Sequence, residues 1–337
     1  MNATLALDDS APFRWHDGER VVLFGRGKLA EAGSLLDGPY VLLTTSRAGP
    51  SAAAVVEAAT EVHDVQDGRV DELAGALRAD VRGELLIALG GGRVIDVAKA
   101  LAAADPPRRV AAIPTTLSGA EMTGVHRHAR GVAADATRVR PAFVINDPAL
   151  SASQPAAQLA QSAANALGHA VEGPLTPLGH PVAALTGTRA ARLIKEGLEG
   201  DLEEAARDKL ALGALLAGYA IGSSGYGLHH VLSQTLARFT AVGHGAANAN
   251  MLPHAIVALA RRFPDRIAAL GDALGEDPAA LAARLRDLGG VARLRDAGVS
   301  EKQLEHCADQ AAQRPELHLT PPPAEHEELR ALYGAAY

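Results

Sequence analysis

The chain has 337 residues, 48% hydrophobic, 21% charged and only 3% aromatic. That is ordinary globular composition and too long for one typical core, so two domains are expected. A formal charge of −7, with a pI near 6.0, argues against a nucleic-acid or anionic-membrane partner. The single cysteine, Cys307, excludes an intrachain disulfide and a cysteine-rich zinc site, and fits a cytoplasmic location.

The opening MNATLALDDSAPFRW has no basic stretch followed by an apolar one, so no signal peptide is read there. Short apolar runs then recur at Val21–Phe24, Tyr40–Thr45, Leu85–Leu89, Val110–Ile113 and Ala142–Ile145, with helical stretches such as Ser51–Ala59 between them. Runs of this length separated by helices predict a parallel sheet covered on both faces. After Asp147-Pro148 the pattern changes. From Gln158 onward Ala and Leu recur at three- and four-residue spacing, and no strand is evident. Residues 1–150 therefore read as an α/β domain and 151–337 as an all-helical one, with an active site expected in the cleft between them. Leu210–Leu228 is apolar but interrupted by Gly213, Gly218, Gly222, Ser223 and Ser224, so it reads as a buried helix and not a membrane span.

The third run leads into Gly90-Gly91-Gly92-Arg93-Val94-Ile95-Asp96-Val97-Ala98-Lys99. Glycines between a buried strand and a helix let a pyrophosphate approach the helix N–H groups, and Asp96 is placed in the first helical turn. A bare strand-to-helix turn is the bland alternative. The segment fits neither GxGxxG nor a Walker loop. Pro114-Thr115-Thr116-Leu117-Ser118-Gly119-Ala120-Glu121-Met122-Thr123 follows the next run. Its hydroxyls suit a ligand at the carboxyl end of a parallel sheet, or Ser118 and Glu121 form a capping box.

In the helical half, Asn165 and His169 are four residues apart and share a helix face. His229-His230 and Gly243-His244-Gly245 lie downstream. Imidazoles converging from separate helices either hold a divalent metal or polarise a carbonyl directly. A single histidine in an alanine-rich helix is more often a core residue. Three in such contexts favour a site.

These segments resemble the iron-containing alcohol dehydrogenase superfamily. Gly90–Lys99 resembles its GGGSxxDxAK loop, and Phe24-Gly25-Arg26-Gly27 its opening FGxG turn. Pro114–Thr123 resembles the PTT…SEMT segment of the maleylacetate reductase branch, and Asn165–Glu172 that branch's NAxAHAVE segment. His229-His230, Gln234 and Gly243-His244 follow the order of the HHxxxH…PHG region. The resemblance implies a Rossmann-like α/β domain followed by an all-α domain, as in dehydroquinate synthase. It implies an NAD(P)H-dependent reductase passing hydride to a keto group, maleylacetate to 3-oxoadipate, as a cytoplasmic homodimer. By position, Gly90, Gly91, Gly92 and Asp96 would bind the cofactor, with Thr115, Thr116, Ser118 and Thr45 beside it. His169, His230 and His244 occupy the metal-ligand positions for Fe or Zn and, with Asn165, the catalytic ones.

The departures bear on chemistry. Asn165 stands where metal-dependent members have Asp, as in the maleylacetate reductase branch, and a neutral amide is a weaker ligand. Gln234 replaces a fifth histidine, Arg93 replaces the usual serine, and residues 124–137 are shortened. Alternatives are a metal-dependent alcohol or glycerol dehydrogenase, a dehydroquinate synthase-like cyclase, and a catalytically inactive nucleotide-binding relative. Thr44-Thr45-Ser46-Arg47 offers no carboxylate for a ribose hydroxyl, and Arg47 is either a 2′-phosphate partner or a solvated surface residue. Arg127, Arg130, Arg138 and Arg140 are either receptors for a carboxylated substrate or surface residues.

Overall fold

A computed structural model describes residues 11–152, 154–199 and 203–337. The signal-peptide reading rests largely on residues 1–10, which lie outside the described residues. The chain divides into two compact units. A sheet unit holds residues 1–116, 120–153 and 197–212, and a helical unit holds 117–119, 154–196 and 213–337.

The sheet unit contains β1 (Phe13–Asp17), β2 (Arg20–Phe24), β3 (Val41–Thr44), β4 (Glu61–Asp64), β5 (Leu85–Gly90), β6 (Arg109–Pro114) and β7 (Phe143–Asn146). They form one sheet in the order β1-β2-β7-β6-β5-β3-β4. The five apolar runs are the five inner strands, and all pair in parallel. The two edges were not anticipated. β1 pairs antiparallel with β2, so the sheet is not wholly parallel, and β4 extends the other edge in parallel. An edge strand is half solvated and lacks the buried run of an inner one. In β4 Glu61, Val62 and Asp64 are all exposed.

The short helices α1 (Lys28–Glu31), α2 (Ala53–Glu57), α3 (Val70–Leu77) and α4 (Gly92–Ala104) connect these strands. The expected helix at Ser51–Ala59 is shorter, a 3-10 turn at Gly49–Ala52 leading into α2. Alternate residues of each strand feed opposite faces. Val41, Leu43, Leu86, Ala88, Val110 and Ala112 pack with Ile95 and Leu101 of α4. Leu42, Ile87, Leu89, Ala111 and Ile113 pack on the other face with Tyr40 and Val55.

The rest of the chain is helical: α5 (Ala156–Glu172), α6 (Pro181–Leu198), α7 (Glu204–Ser224), α8 (Leu228–Phe239), α9 (His244–Arg262), α10 (Pro264–Leu274), α11 (Pro278–Leu288), α12 (Glu301–Ala312) and α13 (His326–Ala335). Among the described residues no strand follows β7. No described helix is long and apolar enough to cross a membrane. The proline-rich tail forms a 3-10 turn at Pro315–Leu319 before α13.

Candidate active site

In the sheet unit, β5 ends at Gly90, Gly91 is the N-cap of α4, and Gly92 opens the helix. No side chain caps α4, which leaves its first N–H groups available to an anion. A Cβ on Gly91 would lie 3.2 Å from the Thr116 side chain, so the glycine allows the two loops to lie close. Thr115 N–H donates to Gly90 O at 3.0 Å, tying the loops through their backbones. Thr45 spends its hydroxyl on the turn that follows β3, accepting from Ala48 N–H at 3.1 Å.

Asp96 is not in the first turn of α4, which contains no acidic residue. The helix begins at Gly92, and Asp96 lies one turn further on. There it pairs with the fully buried Lys99 at 2.7 Å. Lys99 Nζ also donates to the carbonyls of Ala120, Thr123 and Val125 at 2.9, 3.2 and 2.8 Å. Ser118 and Glu121 do not open an α-helix, because Ala120–Met122 is a single 3-10 turn. Glu121 is instead buried, with Oε2 unpartnered among the described residues, and burial pushes its carboxyl up to about 7. Arg93 pairs with the exposed Asp67 at 2.7 Å.

Two of the four arginines considered for substrate have structural partners. Arg130 pairs with Glu72 at 3.1 Å, and Arg140 donates to Met122 O at 3.1 Å.

In the helical unit, Asn165 and His169 lie on α5, and both are buried. Asn165 Nδ2 donates to Ser118 O at 3.2 Å, which points the amide oxygen away from that bond. Gly119 has φ +68°, and a Cβ there would meet His169 Nδ1 at 3.2 Å and Gly218 Cα at 3.1 Å. Glycine is required on both counts. The rings of His169 and His230 stack at 4.7 Å between centroids.

Glu172, the last residue of α5, organises the start of α8. Its carboxylate accepts from His229 N–H at 2.7 Å and His230 N–H at 3.4 Å. It also accepts from His230 Nδ1 at 2.7 Å. With Nδ1 donating to the Glu172 carboxylate, Nε2 keeps its lone pair, buried and without a partner among the described residues; burial raises the Glu172 carboxyl above its ordinary range. Burial, reinforced by His244 and Arg314, pushes His230 down to about 3. Burial also holds His169 well below the usual imidazole range. Gly168 makes room for the neighbouring His229, since a Cβ there would fall 2.6 Å from that ring.

His244 opens α9 and is exposed. It is near enough to act electrostatically on both His169 and His230. Among the described residues, the metal-capable trio with ligand atoms within 4.8 Å of one another is Glu305, Asp309 and His326, not the three histidines. The trio is an exposed ion-pair group that Arg330 joins through Glu305.

Gln234 has a definite partner. Its Oε1 accepts from Arg314 at 3.0 Å, and Arg314 also donates to the Tyr226 hydroxyl at 3.2 Å and to Glu316 at 2.9 Å. The Tyr226 ring lies 5.5 Å from His230. Glu172, Tyr226, Arg314 and Glu316 were not identified from sequence. A carboxylate ending an alanine-rich buried helix was the available signal for Glu172. Arg314 is 80 residues from Gln234, and nothing local announces the pair.

The residues fit a divalent cation in the nature of the donors. His230 Nε2 is an orphaned, oriented lone pair, and His169 is stacked beside it. The amide oxygen of Asn165 completes a neutral N/O set, of the kind imidazole-binding metals accept. The open start of α4 likewise fits a dinucleotide pyrophosphate.

An uncapped glycine loop on a parallel sheet and a buried histidine cluster on helices define a dehydrogenase-type protein. Residues 20–148 match the family described as iron-containing alcohol dehydrogenase, and residues 159–337 match its C-terminal region. The chain belongs to the iron-containing alcohol dehydrogenase family, a family of oxidoreductases. It is 35% identical over 262 residues to a maleylacetate reductase from Pseudomonas aeruginosa, covering 75% of this chain and 73% of that protein. A putative alcohol dehydrogenase structure from Ralstonia eutropha JMP134 superposes with a TM-score of 0.84 at 29% identity, covering 96% of this chain and 97% of that one. The maleylacetate reductase structure from Rhizobium sp. strain MTP-10005 superposes at 0.81 with 26% identity, covering 97% and 98%.

Proposed function

We propose that the chain is an NAD(P)H-dependent reductase acting on maleylacetate. The observation that carries the reading is the buried His169–His230 stack with Glu172 fixing the His230 tautomer. The 35% identity to a maleylacetate reductase supports the substrate choice. Bound NAD(P)H supplies a hydride, and a divalent ion such as Fe or Zn supplies positive charge at a carbonyl oxygen. The N–H groups at the start of α4, with Gly90, Gly91 and Gly92, would hold the pyrophosphate, and Thr115 and Thr116 would lie beside it. His169, His230 and His244 would hold the ion, with Asn165 as a neutral fourth ligand.

The product 3-oxoadipate keeps its keto group. The hydride would therefore be needed at the alkene carbon conjugate to that group, not at the keto carbon expected from the sequence, and a proton at the adjacent carbon. Negative charge collects meanwhile on the keto oxygen as an enolate. This is where the cluster acts, because preorganised positive charge or donors at a developing oxyanion are worth roughly 3–4 kcal/mol. Neutral imidazoles carry no charge of their own, so this chain's contribution is to orient lone pairs, with His169 and His230 buried. We further take the enzyme to be a cytoplasmic homodimer, on the family resemblance alone.

The test is NADH and NADPH oxidation with maleylacetate, before and after prolonged EDTA treatment. The expected result is maleylacetate-dependent oxidation that falls on metal removal. His230→Ala should lower kcat/KM by about 10²–10³-fold. Full activity in a metal-free preparation would remove the ion from the reading. No turnover with maleylacetate or with any keto acid or aldehyde tried would overturn the reading itself.

A further inference from the structure

An open cavity of about 480 Å³ lies at the carboxyl ends of β3 and β4. Its walls are largely apolar, from Pro50, Ala53, Val56 and Val62. Its polar groups are the hydroxyls of Thr45 and Ser46 and the carboxylates of Glu57 and Asp64. No Lys or Arg is among the lining residues. Arg47 follows Ser46 in sequence but is not in the lining, and it has an interaction of its own.

Strand order gives this cavity its meaning. β5 carries the glycine loop, β3 is its neighbour, and β4 lies beyond. Thr44 Oγ1 donates to Leu89 O at 2.9 Å, binding the ends of β3 and β5 together. In a doubly wound sheet a dinucleotide with its pyrophosphate on α4 would carry its adenosine half toward this edge. The sequence offers no carboxylate at the end of β3, but the register sets Asp64 opposite Thr44, so β4 supplies one. α2 supplies a second, Glu57.

We propose that Glu57 and Asp64 make this chain select NADH over NADPH. A carboxylate at this edge accepts a hydrogen bond from the ribose 2′-hydroxyl and repels a 2′-phosphate. A phosphate carrying roughly two negative charges would face two carboxylates here, with no cation among the lining residues to offset them. The Gln66 amide donates to Asp64 Oδ2, which holds that carboxylate in place.

This inference rests on the reductase reading, and binding measurements separate the two. Calorimetric titration of the wild-type chain with NADH and with NADPH should give NADH the tighter Kd by on the order of tenfold or more. Asp64→Asn and Glu57→Gln, both at exposed positions, should narrow that ratio severalfold by tightening NADPH. The fragment pair 5′-AMP and 2′,5′-ADP should reproduce the preference without any turnover. NADPH binding as tightly as NADH in the wild type, or a ratio unmoved in both variants, overturns the assignment alone. Failure of both dinucleotides to bind overturns the reductase reading together with it.

Discussion

The two units bury polar chemistry in opposite ways. The sheet unit buries cationic side chains against oxygen acceptors. Lys99 is surrounded by three carbonyls and Asp96, and Arg20 donates to Asp17 at 3.0 Å and to Pro141 O at 2.9 Å. The helical unit buries imidazoles, which escape the cost of a buried charge by giving up a proton. The first strategy produces a rigid loop. The second produces free lone pairs, which is what a cation or a developing oxyanion requires. Glu121 and Glu172, each a buried carboxyl of one unit, mark the limits of the two strategies.

Glu121 tests the sheet side, and its effect should be the largest. Its carboxyl is raised to about 7 from an ordinary 4.5. Folding therefore takes up a proton between those values, and stability falls as pH rises through that window. The loss amounts to about 3 kcal/mol at 1.36 kcal/mol per pH unit. Glu121→Gln should abolish this slope and leave the variant more stable than wild type above pH 7. Urea unfolding from pH 4.5 to 8 measures it. Parallel curves for the two proteins would mean the carboxyl is not carried protonated.

Glu172 tests the helical side. Glu172→Gln keeps an acceptor for the backbone N–H groups but loses the carboxyl facing His230. Activity with maleylacetate, or retained metal per chain, should drop about 10–100-fold. An unchanged rate with unchanged metal content would detach the carboxylate from the chemistry. Next comes Gly168→Ala, which drives a methyl into His229 and should cost about 1–3 kcal/mol of stability, read from urea midpoints. A midpoint at the wild-type value would mean the ring moves freely aside. Smallest is Arg93→Ser, which removes a surface pair with Asp67 and should shift stability by about 1 kcal/mol or less. A larger loss would give the arginine a structural role that its exposed partner does not suggest.

The inner sheet was legible because Leu85–Leu89 and Val110–Ile113 are uninterrupted apolar runs buried on both faces. β1 and β4 were not, since an edge strand such as Glu61–Asp64 has no buried run to announce it. Asn165 and His169 could be placed on one helix face from spacing alone. The groups that orient the cluster could not, because they act across 58 residues, as between Glu172 and His230, or 80, as between Gln234 and Arg314. Helical spacing reports neighbours one turn away and says nothing of which distant helix supplies a partner. Asp96 was misplaced for a local reason. The helix already starts at Gly92, two residues after the strand ends, so Asp96 falls a turn past the N-terminus and pairs with Lys99.

Lys99 grips the segment 120–125 by hydrogen bonds to its carbonyl oxygens. Carbonyls are common to every residue type, so this anchorage is indifferent to what stands at Ala120, Thr123 or Val125. Over the course of divergence, drift at those positions leaves the loop's path intact as long as the lysine persists. The memory of the loop's shape is thus stored in a residue of α4, outside the loop itself.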